Sequence, residues 1–280
     1  MALSLSNVCG MNFHYMRHPL RSFLDDAAAL GLTRVEIWGA APHFYIGDNS
    51  LAAARELGRE VRARGMALAC FTPEQCVYPI NLGSSEPVLR DRSQRYFLEC
   101  LEMCVEMGSP ALLVTPGSGY ANQPAEEAWA RCVASLALLA DRAERLGITL
   151  FFEALPPAWS NIAVTAPDVR RMLDAVASPA LKGMMDTSAA RLTREDVGDF
   201  ARALGADLAH MHMTDADDGG AHLAWGDGIL DLDAYIADLN AAGYDGALSL
   251  EITNARYYLD PMPAMRKSVE ALAAAIARAA

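Results

Sequence analysis

Four residues of ligand type stand at equivalent places in the second half of the chain. Glu153 closes TLFFE, Asp186 closes LKGMMD, His212 lies near the end of LAHMHM, and Glu251 closes LSLE. Taken singly, each has an ordinary explanation. A carboxylate at a strand end pairs with a surface cation or caps the next helix, and Ser188 and Thr193 compete with Asp186 as caps. A histidine in an apolar run is commonly a hydrogen-bonded core residue, and His210, two positions before His212 on the same face, is read that way. Taken together they read differently. Three converging carboxylates repel one another and are costly to desolvate. Lys182 is the cation nearest to them in sequence, and it sits at the far end of its own run. A bound divalent ion resolves the conflict. Three oxygen donors and one imidazole favour manganese first, with cobalt, magnesium and zinc as alternatives.

For these residues to meet, the elements that carry them must lie side by side. Short apolar runs alternate with helical stretches along the whole chain. Strands are expected at 3–9, 34–38, 67–71, 111–115, 149–153, 182–186, 208–213 and 247–252. Helices are expected at 20–30, 50–64, 89–107, 124–146, 166–176, 194–204, 232–242 and 262–280. Gly31, Gly65, Gly108, Gly147, Gly205 and Gly243 each stop a helix just before a strand. Eight such units with no break in composition predict an α/β fold, one (βα)8 TIM barrel spanning residues 1–280 as a single catalytic domain. In such a barrel the carboxyl ends of the strands form the site, where the four ligand-type residues lie. An open doubly wound sheet is the rival, but NVCGMNFHY after the first strand lacks the dinucleotide fingerprint. Gly117-Ser118-Gly119 reads as a flexible loop rather than a phosphate cradle.

Bulk properties narrow the function. Hydrophobic residues make up 52% of the 280, enough for a large core, and the net charge is −12. No basic cluster suggests nucleic-acid binding, and no apolar run is long enough to span a membrane. The start reads as no secretory leader. The six cysteines form no CxxC pair, which points to a reducing, cytoplasmic setting without a thiolate metal site.

The order Glu153, Asp186, His212, Glu251 resembles the xylose-isomerase-like barrel superfamily of sugar isomerases and epimerases. The closest branch is the fructoselysine 3-epimerases, with the tagatose 3-epimerases beside it. VEIWGAAPHFY (35–45), FTPEQCVYPIN (71–81), EALPPAWSNI (153–162), MMDTSAARL (184–192), HMHMTDAD (210–217), AHLAWGDG (221–228) and GYDGALSLEIT (243–253) carry the resemblance. It implies one divalent metal held by Glu153, Asp186, His212 and Glu251. It also implies 3-epimerisation of a ketose or fructosamine through an enediolate, with Glu153 and Glu251 as the two proton carriers. Trp38, His43, Phe71, Tyr78, Asn81, Trp159 and His222 become the substrate-binding residues. His222 stands where the tagatose branch carries an arginine, and Ala189 where it carries a histidine. Trp159, six residues after Glu153, replaces a carboxylate common among relatives, and Trp225 replaces a proline. The resemblance further implies a small sugar as the partner and a homo-oligomer, dimer or tetramer. The same site suits an aldose–ketose isomerase or a keto-inositol dehydratase. A DNA-repair endonuclease of this barrel type fits poorly, because strands two and three end at Trp38 and Phe71 without a histidine. A non-catalytic sugar-binding protein would have no need of a complete ligand set.

Overall fold

The computed structural model describes residues 2–75 and 80–279. Eight parallel strands close into a barrel in chain order: β1 (Val8–Met11), β2 (Arg34–Gly39), β3 (Ala67–Pro73), β4 (Ala111–Val114), β5 (Thr149–Glu153), β6 (Leu181–Asp186), β7 (Leu208–His212) and β8 (Ala247–Leu250). Closure is made where Cys9 of β1 aligns with Ser249 of β8. Around them run α1 (Leu20–Ala29), α2 (Leu51–Ala63), α3 (Pro87–Met107), α4 (Ala125–Leu146), α5 (Ala166–Val176), α6 (Thr187–Thr193), α7 (Val197–Leu204), α8 (Leu232–Ala241) and α9 (Met262–Ala279). The (βα)8 barrel expected from the alternating pattern is the fold observed.

Alternation along each strand sorts the core into two shells. Val35, Ile37, Leu150, Phe152, Leu248 and Leu250 face the helices and are buried in the main apolar layer. Fully burying one such side chain stabilises the fold by about 1.5–3 kcal/mol. The intervening residues face the barrel axis. Cys70, Ala111, Leu113, Phe151 and Met184 fill its lower part. Gly147 caps α4 with φ 67, a left-handed conformation that glycine adopts without strain, and this turns the chain straight into β5.

Most elements end within a residue or two of the expected places, and three of the differences have clear local reasons. The first strand begins only at Val8, because Leu5–Asn7 form a 3-10 turn whose Asn7 amide donates to the Asp245 and Gly246 carbonyls. The last strand stops at Leu250, where the chain tightens and the Glu251 and Ile252 amides donate to the Ser249 and Leu250 carbonyls. The stretch expected as one helix over 194–204 has a short helix before it. Asp186 caps α6 by accepting from the Ser188 amide at 2.8 Å, Arg194 ends it in the left-handed region, and Asp196 starts α7 anew.

Candidate metal centre and substrate cavity

β5, β6 and β7 end on Glu153, Asp186 and His212, and Glu251 follows β8 by one residue. Their side chains meet at the mouth of the barrel. Glu251 Oε2 lies 3.0 Å from His212 Nδ1, and Glu153 Oε1 lies 3.7 Å from the same nitrogen. A second group forms around His222: its Nδ1 is 3.3 Å from Glu251 Oε2, and its Nε2 is 3.6 Å from Asp186 Oδ2. The two groups share Glu251, and within each the donor atoms lie within 4.8 Å of one another. His222 is therefore part of the charged cluster and not simply a loop histidine at its edge.

His222 reaches this place through a shaped loop between β7 and α8. The buried Asp215 carboxylate accepts from the amides of Gly226, Gly228 and Leu230 at 2.9–3.0 Å. Antiparallel pairing of Asp215 with Leu223 closes the loop. His222 itself takes φ 52, unusual for a residue with a side chain, while its amide donates to Ser188 Oγ at 3.0 Å.

The electrostatics of the cluster are unbalanced in a way that fits a cation. Burial, helped by the Glu251 and Asp186 charges, pushes the Glu153 carboxyl up to about 7 against the pull of His212. Burial raises Asp186 as well. At Glu251 burial is outweighed by His212 and His222, which bring it down to about 2. Both imidazoles are held in the protonated range by the surrounding carboxylates, His222 at about 9, although burial opposes this. With only the protein's own groups available, the carboxylates recruit protons onto the histidines. A divalent ion supplies the same compensation with neutral imidazoles. Neither Nδ1 has a hydrogen-bond partner, although Glu251 Oε2 lies 3.0 Å from His212 Nδ1 and 3.3 Å from His222 Nδ1. Unpartnered buried nitrogens beside carboxylate oxygens suit metal ligation, so the donor set fits the expected ion.

Above the cluster opens a cavity of about 480 Å³, with Glu153, Asp186 and Glu251 in its floor. Trp38, Trp159 and His222 line it, as do Phe13, Glu74 and Leu192. The Phe13 and Trp38 rings sit 4.2 Å apart, and Trp38 Nε1 donates to Glu74 at 3.2 Å. Trp159 is more than half exposed at the rim.

The remaining residues expected to bind substrate lie elsewhere. His43 faces away from the cavity, held between Asn12 Nδ2 and the His18 carbonyl at 2.8 Å each. Phe71 points outward into the core, against the face of β2 where Gly39 has no side chain: a Cβ there would lie 2.5 Å from the Phe71 ring. Asn81 ties loops together, bonding the Ser118 carbonyl and the Gly83 amide. Tyr78 lies outside the described residues. Nearness in sequence to a strand end does not by itself decide which face a side chain takes.

Glu36 escaped the sequence reading. It is fully buried on β2, two residues before Trp38 and on the same face. Its two carboxylate oxygens meet His210 Nε2 at 2.9 Å and His212 Nε2 at 3.0 Å, and Thr72 Oγ1 also donates to it. Burial opposes its ionisation, but the two imidazoles outweigh this and hold the carboxyl well below the usual range. A lone charge in the apolar run VEIWG was the available signal. His210 is the hydrogen-bonded core histidine expected, stacked on Phe151 at 4.9 Å. Lys182 lies at the opposite end of β6, paired with Asp207 at 2.5 Å.

A sequence profile of the xylose isomerase-like TIM barrel family matches residues 24–275. The fructoselysine 3-epimerase of Escherichia coli O157:H7 is 29% identical over 258 residues, 91% of this chain and 93% of that protein. A solved L-ribulose 3-epimerase superposes with a TM-score of 0.83 at 17% identity, covering 97% of this chain and 95% of its own. The D-psicose 3-epimerase of Clostridium cellulolyticum H10 superposes with a TM-score of 0.78 at 18% identity, covering 97% and 98%. At these identities the two structures speak for the fold.

Proposed function

The chain belongs to the xylose isomerase-like TIM barrel family, and we propose that it is a divalent-metal-dependent sugar epimerase, inverting the carbon next to the ketone of a ketose or fructosamine. The convergence of Glu153, Asp186 and Glu251 in the floor of the cavity, with the buried His212 grouped with Glu153 and Glu251, carries this reading. The similarity to a fructoselysine 3-epimerase over nine-tenths of both chains supports it. Glu153, Asp186, His212 and Glu251 would hold the ion, with manganese the first choice for this donor set. When bound, it supplies a Lewis acid that polarises the ketone and offsets the charge developing on the substrate oxygens.

The protein's own groups handle the protons. Glu153 and Glu251 enter the cluster from strands three apart and meet His212 Nδ1 from different directions. One removes the proton beside the carbonyl, and the other delivers a proton of its own, exchangeable with solvent, to the opposite face. The configuration of the substrate sets which acts first. Trp38, Trp159 and Phe13 provide flat apolar walls for the sugar. His222 reaches over the floor between Asp186 and Glu251 and lines the cavity, where its ring would meet the substrate. Among the described residues no lysine or arginine lines the cavity, which favours a sugar without phosphate groups.

Incubation with a panel of ketoses and fructosamines, with Mn²⁺ in deuterated water, tests the reading. Epimerisation places one solvent deuterium at the inverted carbon with no loss of water. Loss of water would instead mark a dehydratase, and deuterium with interconversion of aldose and ketose an isomerase. No exchange with any sugar would defeat the proposal.

A further inference from the structure

Glu36 touches neither the cavity nor any carboxylate of the cluster, and it is completely buried. Its place is nonetheless directly behind the candidate metal-binding imidazole. An ionised carboxylate only accepts hydrogen bonds. Glu36 Oε1, 3.0 Å from His212 Nε2, therefore requires a proton on that nitrogen, and this leaves Nδ1, beside Glu153 and Glu251, as the nitrogen available to an ion. The second oxygen does the same for His210, whose ring is trapped between Phe151 and Glu36. We propose that Glu36 is a positioning residue that selects the tautomer of His212, with His210 holding the carboxylate in register. Metal ligation by histidine generally depends on such an outer acceptor, and loss of one typically lowers metal affinity 10–100-fold.

The geometry makes a specific demand on a substitution. Glu36→Gln keeps size and shape but has one accepting oxygen, and its amide nitrogen faces the second ring N–H. One histidine must then move its proton to Nδ1. Both Nδ1 atoms are buried without a hydrogen-bond partner, but His212 Nδ1 has a carboxylate oxygen beside it, Glu251 Oε2 at 3.0 Å, whereas the ion pair of His210 is made through Nε2, so the change falls on His212. That proton occupies the nitrogen the ion needs.

The inference rests on the metal reading above, and the experiment separates the two. Protein labelled with ¹⁵N-histidine is examined by long-range ¹H–¹⁵N correlation, free and loaded with Mg²⁺, while Mn²⁺ affinity is measured by calorimetry. In the wild-type protein, His210 is expected as the Nε2–H tautomer in both states and His212 as Nε2–H when loaded. In Glu36→Gln, His212 is expected to carry its proton on Nδ1, and Mn²⁺ affinity is expected to fall 10–100-fold. A folded variant that keeps His212 at Nε2–H and binds Mn²⁺ as tightly as wild type overturns the assignment. If the variant does not fold, the wild-type spectrum still decides: Nδ1–H on loaded His212, or on His210, overturns it. Wild-type protein that binds no ion but shows His210 as Nε2–H would remove the metal reading and leave Glu36's hold on the histidines intact.

Discussion

Two polar layers stack inside the barrel, and the protein treats them in opposite ways. The deeper layer is closed around its carboxylate: Glu36 has its two oxygens matched by His210, His212 and Thr72, with the Phe151 ring beneath, though His210 Nδ1 on the far side of its ring has no partner. The layer above it is open: Glu153, Asp186 and Glu251 outnumber the imidazoles that face them, and two ring nitrogens there lack hydrogen-bond partners. His212 belongs to both, with one nitrogen in each. A satisfied buried network stabilises one arrangement, whereas an unsatisfied one signals a missing ligand. The difference suggests a division of labour in which the closed layer aims and the open layer reacts.

The strongest way to break this comparison is to remove a reacting group from the open layer. Glu251→Gln should lower deuterium exchange into a turned-over ketose by 10²–10⁴-fold, the usual worth of a positioned proton carrier. Exchange at the wild-type rate would mean that the two-glutamate scheme is wrong. In the closed layer the expected loss is of stability. Glu36→Leu leaves two buried imidazoles without their shared acceptor, and breaking a buried ionic network in this way costs about 3–5 kcal/mol, read as a lower urea midpoint. An unchanged midpoint would show that the shared acceptor does not stabilise the fold as described.

Metal loading should act on the open layer alone. Mn²⁺ at a hundred times its Kd should stabilise the folded protein by about 2.7 kcal/mol, and a chelator should reverse this. The effect should also depend on pH. In the metal-free protein the raised His222 value means that the folded state holds its proton more tightly than the unfolded chain. That stabilisation is complete below about 6.5 and is lost as pH rises through about 9. The ion competes with the same proton, so its affinity should rise across this interval. Melting with and without Mn²⁺ between about pH 6.5 and pH 9 should show a widening gap in Tm, and a gap that narrows would count against ligation at this cluster. Smallest of all should be the effects of residues outside both layers. His43→Ala should leave KM for the sugar near the wild-type value, because its ring is held by Asn12 and His18 away from the cavity. Trp159→Ala, at the exposed rim, should raise KM while shifting stability by no more than about 0.5 kcal/mol. A large KM effect at His43 would restore it to the cavity.

The barrel and the open layer were legible in the chain because both obey simple periodicities. Helix-end glycines and alternating apolar runs announce the βα units, and a charge closing an apolar strand stands out, as at Glu153 and Asp186. Glu36 breaks the same rule inside VEIWG, but a charge in the middle of a strand lacks the strand-end position that marks Glu153 and Asp186. Asp215 gave no such signal, since its work is to gather the amides of a loop that has no period.

By itself, then, the sequence determined which residues could ligate a metal, the order of the elements and the level of the barrel at which they end. These follow from local propensity and from the two-residue repeat of a strand. Only the tertiary structure decided that His222 joins the cluster, that Phe71 and Asn81 leave the cavity, and that Glu36 reaches across the barrel to two histidines more than 170 positions away. Those outcomes depend on closure: when β1 meets β8, residues far apart in the chain face one axis, and the loops above it are set by hydrogen bonds that no repeat encodes.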